Sequence, residues 1–136
     1  MKKKPTMTGY LILEDFKPDE WRNLIMKKGI DAFPKLRKVL VKILGYYYWK
    51  DVKASLAYKN LKIMDDIKLN SLKDICDYSI KEHAIYYKEN EIPYEFHFIR
   101  YGDKGGIIFV KFDHALSDGI GFLGFLMALS DNYSAD

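Results

Sequence analysis

The sequence has 136 residues, 49% of them hydrophobic and 15% aromatic, so it can bury the core of one ordinary domain and has no room for a second. Its net charge of +3 is uneven, because lysine and arginine concentrate in the first 50 residues. A basic amino end is usually just solvated, although it can attract an anionic membrane surface, a nucleic acid or an acidic cofactor. We expect a single domain over residues 1–136.

Three kinds of protein are excluded. Cys76 is the single cysteine, so one chain can build neither a disulfide framework nor a zinc cluster, and a reducing, cytoplasmic compartment is expected. The start "MKKK" resembles that of a signal peptide, but "PTMTG" follows where an apolar stretch is required, so we expect no secretion. The longest apolar run, residues 120–129, is about ten residues, short of the roughly 20 that span a bilayer. Any membrane contact is expected to be peripheral.

The first half of the chain predicts a strand, a helix and further strands. The segment "TMTGYLILE" (6–14) is rich in β-forming residues. Pro18 suits a first helical turn and Gly29 a helix stop. The apolar face of this helix would hold Trp21, Leu24 and Ile25, with Lys28 beside them. Residues 33–52 fit both helical and strand spacing, and we favour strand.

The second half predicts a helix, a hairpin and a final helix. "SLKD" (71–74) is a capping box that begins a helix over 71–89. Leu72, Ile75, Ser79 and Tyr86 follow the capping box at helical spacing. Residues 94–101 and 106–112 are strand-like runs joined by "GDKGG", which is typical of an antiparallel hairpin. "GIGFLGFLMAL" (119–129) indicates a buried helix. The fold class is therefore mixed α/β.

The run "GIIFVKFDHALSDG" ends a strand on residues that can carry chemistry. His114 follows the predicted hairpin, and Asp118 and Gly119 complete a His-x-x-x-Asp-Gly spacing. A histidine at the mouth of a strand is a natural general base for a hydroxyl or thiol, because the pKa of histidine lies near neutral pH. Asp118 can orient the loop or pair with a cation. Gly119 allows a tight turn without a Cβ clash.

Other motifs predict less. Residues 119–124 match the glycine spacing of a dinucleotide fold, but they do not follow the strand directly and no acidic second strand comes after them, so nucleotide binding is not expected. His83 and His97 have no partner at metal-ligand spacing, so we expect no metal site. "YYYWK" (46–50) could stack on bases, but such a cluster is more often core or sheet surface, so nucleic acid is not an expected partner.

A family resemblance is carried by several of these segments. "FVKFDHALSDGIGF" resembles the His-His-x-x-x-Asp-Gly motif of the acyl-carrier-dependent acyltransferases, most closely the wax ester synthase/diacylglycerol acyltransferase family. "TMTGYLILE", "FPKLRKVLV", "YYYWKDV" and "IPYEFHFI" are similar to successive segments of that family, with Pro93 and Glu95 matching in the last. The resemblance covers nearly the whole chain. It implies the amino-terminal half of a chloramphenicol acetyltransferase-like fold, a mixed α+β sandwich whose hairpin leads into the motif loop.

The resemblance also implies a function. His114 matches the general base that deprotonates a long-chain alcohol or diacylglycerol for attack on acyl-CoA, a co-substrate, and no cofactor is expected. Asp118 matches the structural aspartate, beside Gly119, while Asp113 stands where the family has its first histidine. Family members are several-fold longer, and their second half closes the substrate tunnel. A second half-domain, or self-association, is therefore expected to complete the site.

Two alternatives stay open. The chain can be a non-catalytic remnant that serves as a binding or assembly module, an interpretation that Asp113 and the short length favour. Transfer to an amine, a thiol or a polyketide shares the same motif. Contact with a membrane surface or a lipid droplet is expected from the basic amino end and the apolar substrates.

Overall fold

The computed structural model describes residues 6–83 and 90–113. In chain order these form β1 (Thr6–Leu13), α1 (Pro18–Leu24), β2 (Lys38–Ile43), β3 (Tyr46–Asp51), α2 (Ala54–Tyr58), β4 (Leu61–Leu69), α3 (Leu72–His83), β5 (Tyr94–Tyr101) and β6 (Gly105–Asp113). The predicted strand over 6–14 and the predicted hairpin are confirmed. The predicted strand over 33–52 is confirmed in part, because Pro34–Arg37 form a 3-10 helix and the rest is two strands joined by a turn. The predicted helix over 119–129, and the part of the 71–89 helix that holds Tyr86, lie outside the described residues.

Four strands form the main sheet, in the order β1-β6-β5-β4. β6 pairs antiparallel with both β1 and β5, and β4 pairs parallel with β5. The sequence analysis predicted neither α2 nor β4. In β4 the apolar alternation is interrupted by Asp65 and Asp66, where the register with β5 shifts between Ile63 and Lys68. Because that irregularity removes the period of two, β4 gives a weak strand signal.

The two faces of the sheet bury different side chains, as the period of two requires. One face packs against α3 and contains Ile99, Ile107 and Phe109. The other face packs against α1 and the segments after it, and its large buried side chains are Phe96, Phe98, Val110 and Phe112. The central strands β5 and β6 are therefore covered on both sides.

Helix α3 links the parallel strands β4 and β5, and it begins at the predicted capping box. The Asp74 amide donates to Ser71 Oγ at 3.2 Å, and the Asn70 amide donates to Asp74 Oδ2 at 2.9 Å. The buried residues of the helix are Ile75, Tyr78 and Glu82. Leu72, which stands at helical spacing with Ile75 in the sequence, is not among them. Leu72 lies in the first turn outside this buried stripe and is 58% exposed.

Pro18 opens α1 as predicted, but the helix does not stop at Gly29. A π-helical segment, Ile25–Ile30, continues it, and the Asp31 amide donates to the Met26 carbonyl at 2.9 Å. Ile25 and Ile30 are both fully buried, since a spacing of five residues in this wider helix turns both side chains toward the core. Gly29 is buried inside the segment and does not act as a stop.

Gly106 in β6 lies close to the ring of Trp21 in α1. A Cβ atom at this position would lie 2.5 Å from Trp21 Cη2 and 2.9 Å from Phe16 Cδ1. Trp21 is 1% exposed and has no room to move. Gly106→Ala is therefore expected to lower the free energy of unfolding by about 1–3 kcal/mol, measured by urea denaturation.

Gly9→Ala in β1 is the matched control for that substitution. Its Cβ would meet only Val110 Cγ1, at an ordinary 3.7 Å, so we expect unchanged or slightly higher stability. Equal effects of the two substitutions would contradict the close packing assigned to Gly106.

Strands β2 and β3 form a separate two-stranded hairpin. Leu44 and Gly45 connect them with φ angles of +52° and +84°, and positive φ at both central residues is typical of a type I′ turn. The base of the hairpin is held firmly. Arg37 donates to the carbonyls of Ile30 and Asp31 at 2.7 and 2.8 Å, and Tyr94 Oη donates to the Leu36 carbonyl at 2.6 Å.

Within residues 6–83 and 90–113, helices are too short or too polar to cross a lipid bilayer.

Candidate functional site

The sequence motif begins where β6 ends. Asp113 is the last residue of β6 and is half-buried, and its amide donates to the Pro93 carbonyl at 2.8 Å. In register it lies opposite Thr6 of β1, whose hydroxyl donates to the His83 carbonyl at the end of α3 at 2.9 Å. Asp113 is therefore fixed at one end of the sheet. The other predicted site residues, His114, Asp118 and Gly119, lie outside the described residues.

A buried polar cluster lies on the same face of the sheet, beneath α3. Its members are Tyr78 and Glu82 on the helix, Glu95 and His97 on β5, and Lys111 on β6. Strand alternation places Lys111 and Asp113 on one face, two residues apart. We call this set the buried polar cluster.

His97 is the centre of the buried polar cluster and is 3% exposed. Its Nδ1 lies 2.5 Å from Tyr78 Oη, and its Nε2 lies 2.8 Å from Glu95 Oε2. Burial and the nearby carboxylates of Glu82 and Glu95 raise the pKa of the Tyr78 phenol far above its usual value, so the phenol keeps its proton. Because both ring nitrogens are engaged, His97 acts as a structural residue within this cluster.

Lys111 supplies a positive charge to the cluster. It is 1% exposed, and its Nζ lies 3.7 Å from Glu82 Oε1. In register it stands directly opposite Glu95 on β5. Glu82 Oε1 is also 3.9 Å from His97 Nε2. Two carboxylates and a histidine within 4.8 Å of one another resemble a metal-ligand set, but an ammonium group beside them supplies the counter-charge a cation would bring. The absence of a metal site stays a prediction.

The charges around Glu95 shift its ionisation strongly. Burial alone would raise the pKa of Glu95, but the hydrogen bond with His97 and the positive charges of Lys62 and Lys111 outweigh it and lower the pKa to about 2. A depressed carboxyl pKa stabilises the folded state above the ordinary value of 4.5, and this stabilisation is lost as the pH falls toward 2. Glu95 is therefore a carboxylate at every physiological pH.

Glu95→Gln is expected to flatten the acid limb of the stability profile. We expect the wild-type free energy of unfolding, measured by urea denaturation between pH 7 and pH 2, to fall more steeply below pH 4.5 than that of the variant. Glu20→Gln, at an exposed position in the first turn of α1, should leave the profile unchanged. Parallel profiles for the wild type and Glu95→Gln would show that Glu95 is not stabilised as a carboxylate.

An open cavity of about 310 Å³ lies at the end of the sheet where β4 and β5 begin. It is lined by polar and charged side chains of Lys59, Asn60, Glu91 and Glu95, together with Leu56 and Ile92. Since β6 runs antiparallel to β5, the end of β6 that carries Asp113 lies at this same end of the sheet. The cavity is therefore near the point where the motif begins.

The buried polar cluster is not among the predictions from the sequence, although the sequence contains a signal for it. "YEFHFIRY" and "FVKFDH" carry charged or ionisable residues at alternate positions of otherwise apolar strands, which predicts that Glu95, His97 and Lys111 face the same side. His97, for which the sequence offers no metal partner, is a structural residue with both ring nitrogens in hydrogen bonds. The burial of Glu82 was not predicted, because α3 has an amphipathic pattern in which a glutamate is expected on the polar face.

Comparison with known proteins places the fold. No family model matches the sequence, and no curated protein matches it. Among solved structures, the tallysomycin biosynthesis protein TlmII matches with a TM-score of 0.70 and 14% identity, over 96% of this chain and 31% of that chain. The wax ester synthase/diacylglycerol acyltransferase from Marinobacter aquaeolei VT8 matches with a TM-score of 0.61 and 14% identity, over 89% and 32%. The starter condensation domain of rhizomide synthetase matches with a TM-score of 0.67 and 10% identity, over 90% and 29%.

This chain shares their fold. The predicted mixed α/β class and the acyltransferase-type architecture are confirmed, with the chain spanning about a third of the length of each of these structures. At identities of 14% and below, the likeness concerns the fold and carries no information about the substrate. A wax ester synthase/diacylglycerol acyltransferase and a starter condensation domain match this chain to a similar degree, so the shared fold does not single out one function.

Proposed function

We propose that the chain contributes the catalytic histidine of an O-acyltransferase, which transfers a fatty acyl group from acyl-CoA to a long-chain alcohol or diacylglycerol. The observation that carries the proposal is the position of the motif. The motif "DHALSDG" begins at Asp113, the last residue of the central strand β6, in a fold shared with a wax ester synthase and a condensation domain. No cofactor is required for this reaction.

The proposed chemistry is a single acyl transfer. His114 takes the proton of the acceptor hydroxyl as its oxygen forms a bond to the thioester carbonyl carbon. The tetrahedral intermediate then breaks its carbon–sulfur bond, and the departing thiolate of CoA takes the proton from His114. The products are an ester and free CoA. Asp118 holds the motif loop, and Gly119 permits the turn into the following segment.

The site requires a second wall. A second half-domain, or another copy of the chain, would close the acceptor and donor paths against the end of the sheet that carries Asp113. The exposed, free Cys76 agrees with a reducing, cytoplasmic compartment.

The test is an assay of the complete native gene product with acyl-CoA and either a long-chain alcohol or diacylglycerol. Ester formation matched by an equal release of free thiol supports the proposal, provided that His114→Ala removes both. Amide or thioester products in the same assay would indicate that the acceptor is an amine or a thiol.

A non-catalytic assembly module is the second candidate function, and Asp113 favours it. In the motif that this segment resembles, the first of two histidines occupies this position, and here a carboxylate replaces it. This candidate predicts that wild type and His114→Ala behave alike in the acyl-transfer assay while the chain still binds a partner half-domain.

A further inference from the structure

The tip of the β2–β3 hairpin exposes an unusual amount of apolar surface. We define the hairpin tip as residues 42–47. Within it Leu44 is 92% exposed, Tyr46 70% and Ile43 55%. In register Ile43 lies opposite Tyr46, and Lys42 opposite Tyr47, so the two pairs occupy opposite faces of the ribbon. Both faces and the end of the tip therefore present apolar or aromatic side chains to solvent.

The fold does not require a leucine at position 44. Its φ of +52° lies in the left-handed region, which favours glycine, asparagine and aspartate in turns of this type. A leucine here adds backbone strain, and its exposed side chain gains no packing in return. Local folding would prefer Asn-Gly at this turn. Such an outlier points to a role outside the fold.

The charge around the hairpin tip has one sign. Residues 35–53 contain six lysines and arginines, and their single acidic residue is Asp51. Asp51 lies at the base, where it pairs with Lys38 at 2.5 Å. Toward the tip, Lys42 Nζ lies 5.6 Å from the centre of the Tyr47 ring. The tip is therefore apolar and aromatic, and the charge beside it is positive.

We propose that the hairpin tip inserts into the surface of an anionic lipid membrane. Tyrosine and tryptophan are favoured at the boundary between headgroups and acyl chains, and Tyr46, Tyr47, Tyr48 and Trp49 lie together on β3. The flanking lysines would meet anionic headgroups, each adding to the attraction at low salt. A membrane surface can surround both faces of a narrow ribbon, whereas a folded protein partner covers one face. Because the base of the hairpin is hydrogen-bonded to the rest of the domain, insertion of the tip would hold the whole domain at the membrane surface.

The experiment measures sedimentation of the full chain with vesicles of phosphatidylserine and phosphatidylcholine, and with phosphatidylcholine alone. We expect binding to the anionic vesicles that weakens with added salt. Leu44→Asn removes the apolar end and suits the turn better, so it should fold at least as stably as wild type. It should bind the vesicles about tenfold more weakly.

Leu72→Asn is the matched control. Leu72 is 58% exposed in the first turn of α3, so the same chemical change is made away from the hairpin and should leave vesicle binding unchanged. Wild type that ignores anionic vesicles, or Leu44→Asn that binds them as wild type does, would overturn the proposal. Two further measurements test other partners. The proposal would be overturned if light scattering showed that Leu44→Asn converts a dimer to a monomer. It would also be overturned if Leu44→Asn abolished binding of a single-stranded oligonucleotide while vesicle binding stayed intact.

This inference does not depend on acyl transfer. The vesicles contain neither acyl-CoA nor acceptor, and His114→Ala should bind them like wild type. Failure of the acyl-transfer assay would therefore contradict the proposed function alone, and failure of vesicle binding would contradict the membrane proposal alone.

Discussion

His114→Ala is expected to lower the rate of ester formation by about 10²–10⁴-fold, which is the usual contribution of a general base. Without the imidazole, the attacking hydroxyl has no group to take its proton. Substrate binding should change little, so the loss should appear in kcat more than in KM. The measurement is steady-state release of free thiol from acyl-CoA by the complete native gene product.

His83→Ala is the matched control for this substitution. His83 is an exposed histidine at the end of α3, and it is the backbone carbonyl, not the imidazole, that accepts the hydrogen bond from Thr6. We expect full activity from this variant. If His114→Ala also retains full activity, the catalytic role fails and the assembly module becomes the better account. A second informative variant is Asp113→His, which recreates the paired histidines of the family motif.

Lys111→Met is expected to lower the free energy of unfolding by about 3–5 kcal/mol, the usual cost of removing one partner of a buried ion pair. Lys111 is 1% exposed, its ammonium group lies 3.7 Å from Glu82 Oε1, and the residue stands opposite Glu95 in register. Methionine of similar length fills the space, but it leaves the Glu82 carboxylate without the ammonium group and removes one of the positive charges near Glu95. Urea denaturation at neutral pH measures the loss.

Lys62→Met is the matched control, because it removes the same charge from an exposed position. Lys62 also pairs with Glu95, at 3.3 Å, but its side chain is 44% exposed, so we expect a loss of no more than about 1 kcal/mol. The double variant Glu82→Gln/Lys111→Met should recover part of the stability, because it removes a repelling charge together with the cation. Comparable small losses from both lysine variants would mean that the buried polar cluster is electrostatically unimportant.

Sequence reasoning predicts those parts of this fold whose signals are local. The β5–β6 hairpin has two strongly β-forming runs around a glycine-rich turn, and α3 has a capping box at its start. These features depend on neighbours within a few residues, so tertiary packing has little opportunity to override them. The end of α1 depends instead on tertiary packing. Ile25 and Ile30 are both buried in the core because residues 25–30 form a π-helical segment, and no local sequence pattern predicts that segment.

The candidate site is predictable only in part. The motif is visible as a spacing in one segment, from Asp113 to Gly119. The buried polar cluster is assembled from α3, β5 and β6, and the sequence does not say that Glu82 lies over Lys111. That contact depends on the connection from β4 through α3 to β5. β4 itself was not predicted, because its alternation of apolar and polar residues is interrupted.

The position of β6 has a consequence for how the protein is made. β6 is the last described strand to leave the ribosome, yet it is the only neighbour of β1 in the described sheet and the antiparallel partner of β5. β1 therefore has no partner strand from the described sheet until residues 105–113 have been synthesised. During that interval the exposed edge of β1 and its apolar side chains have to be kept from other chains, and chaperone contact during translation would be greatest before β6 is released.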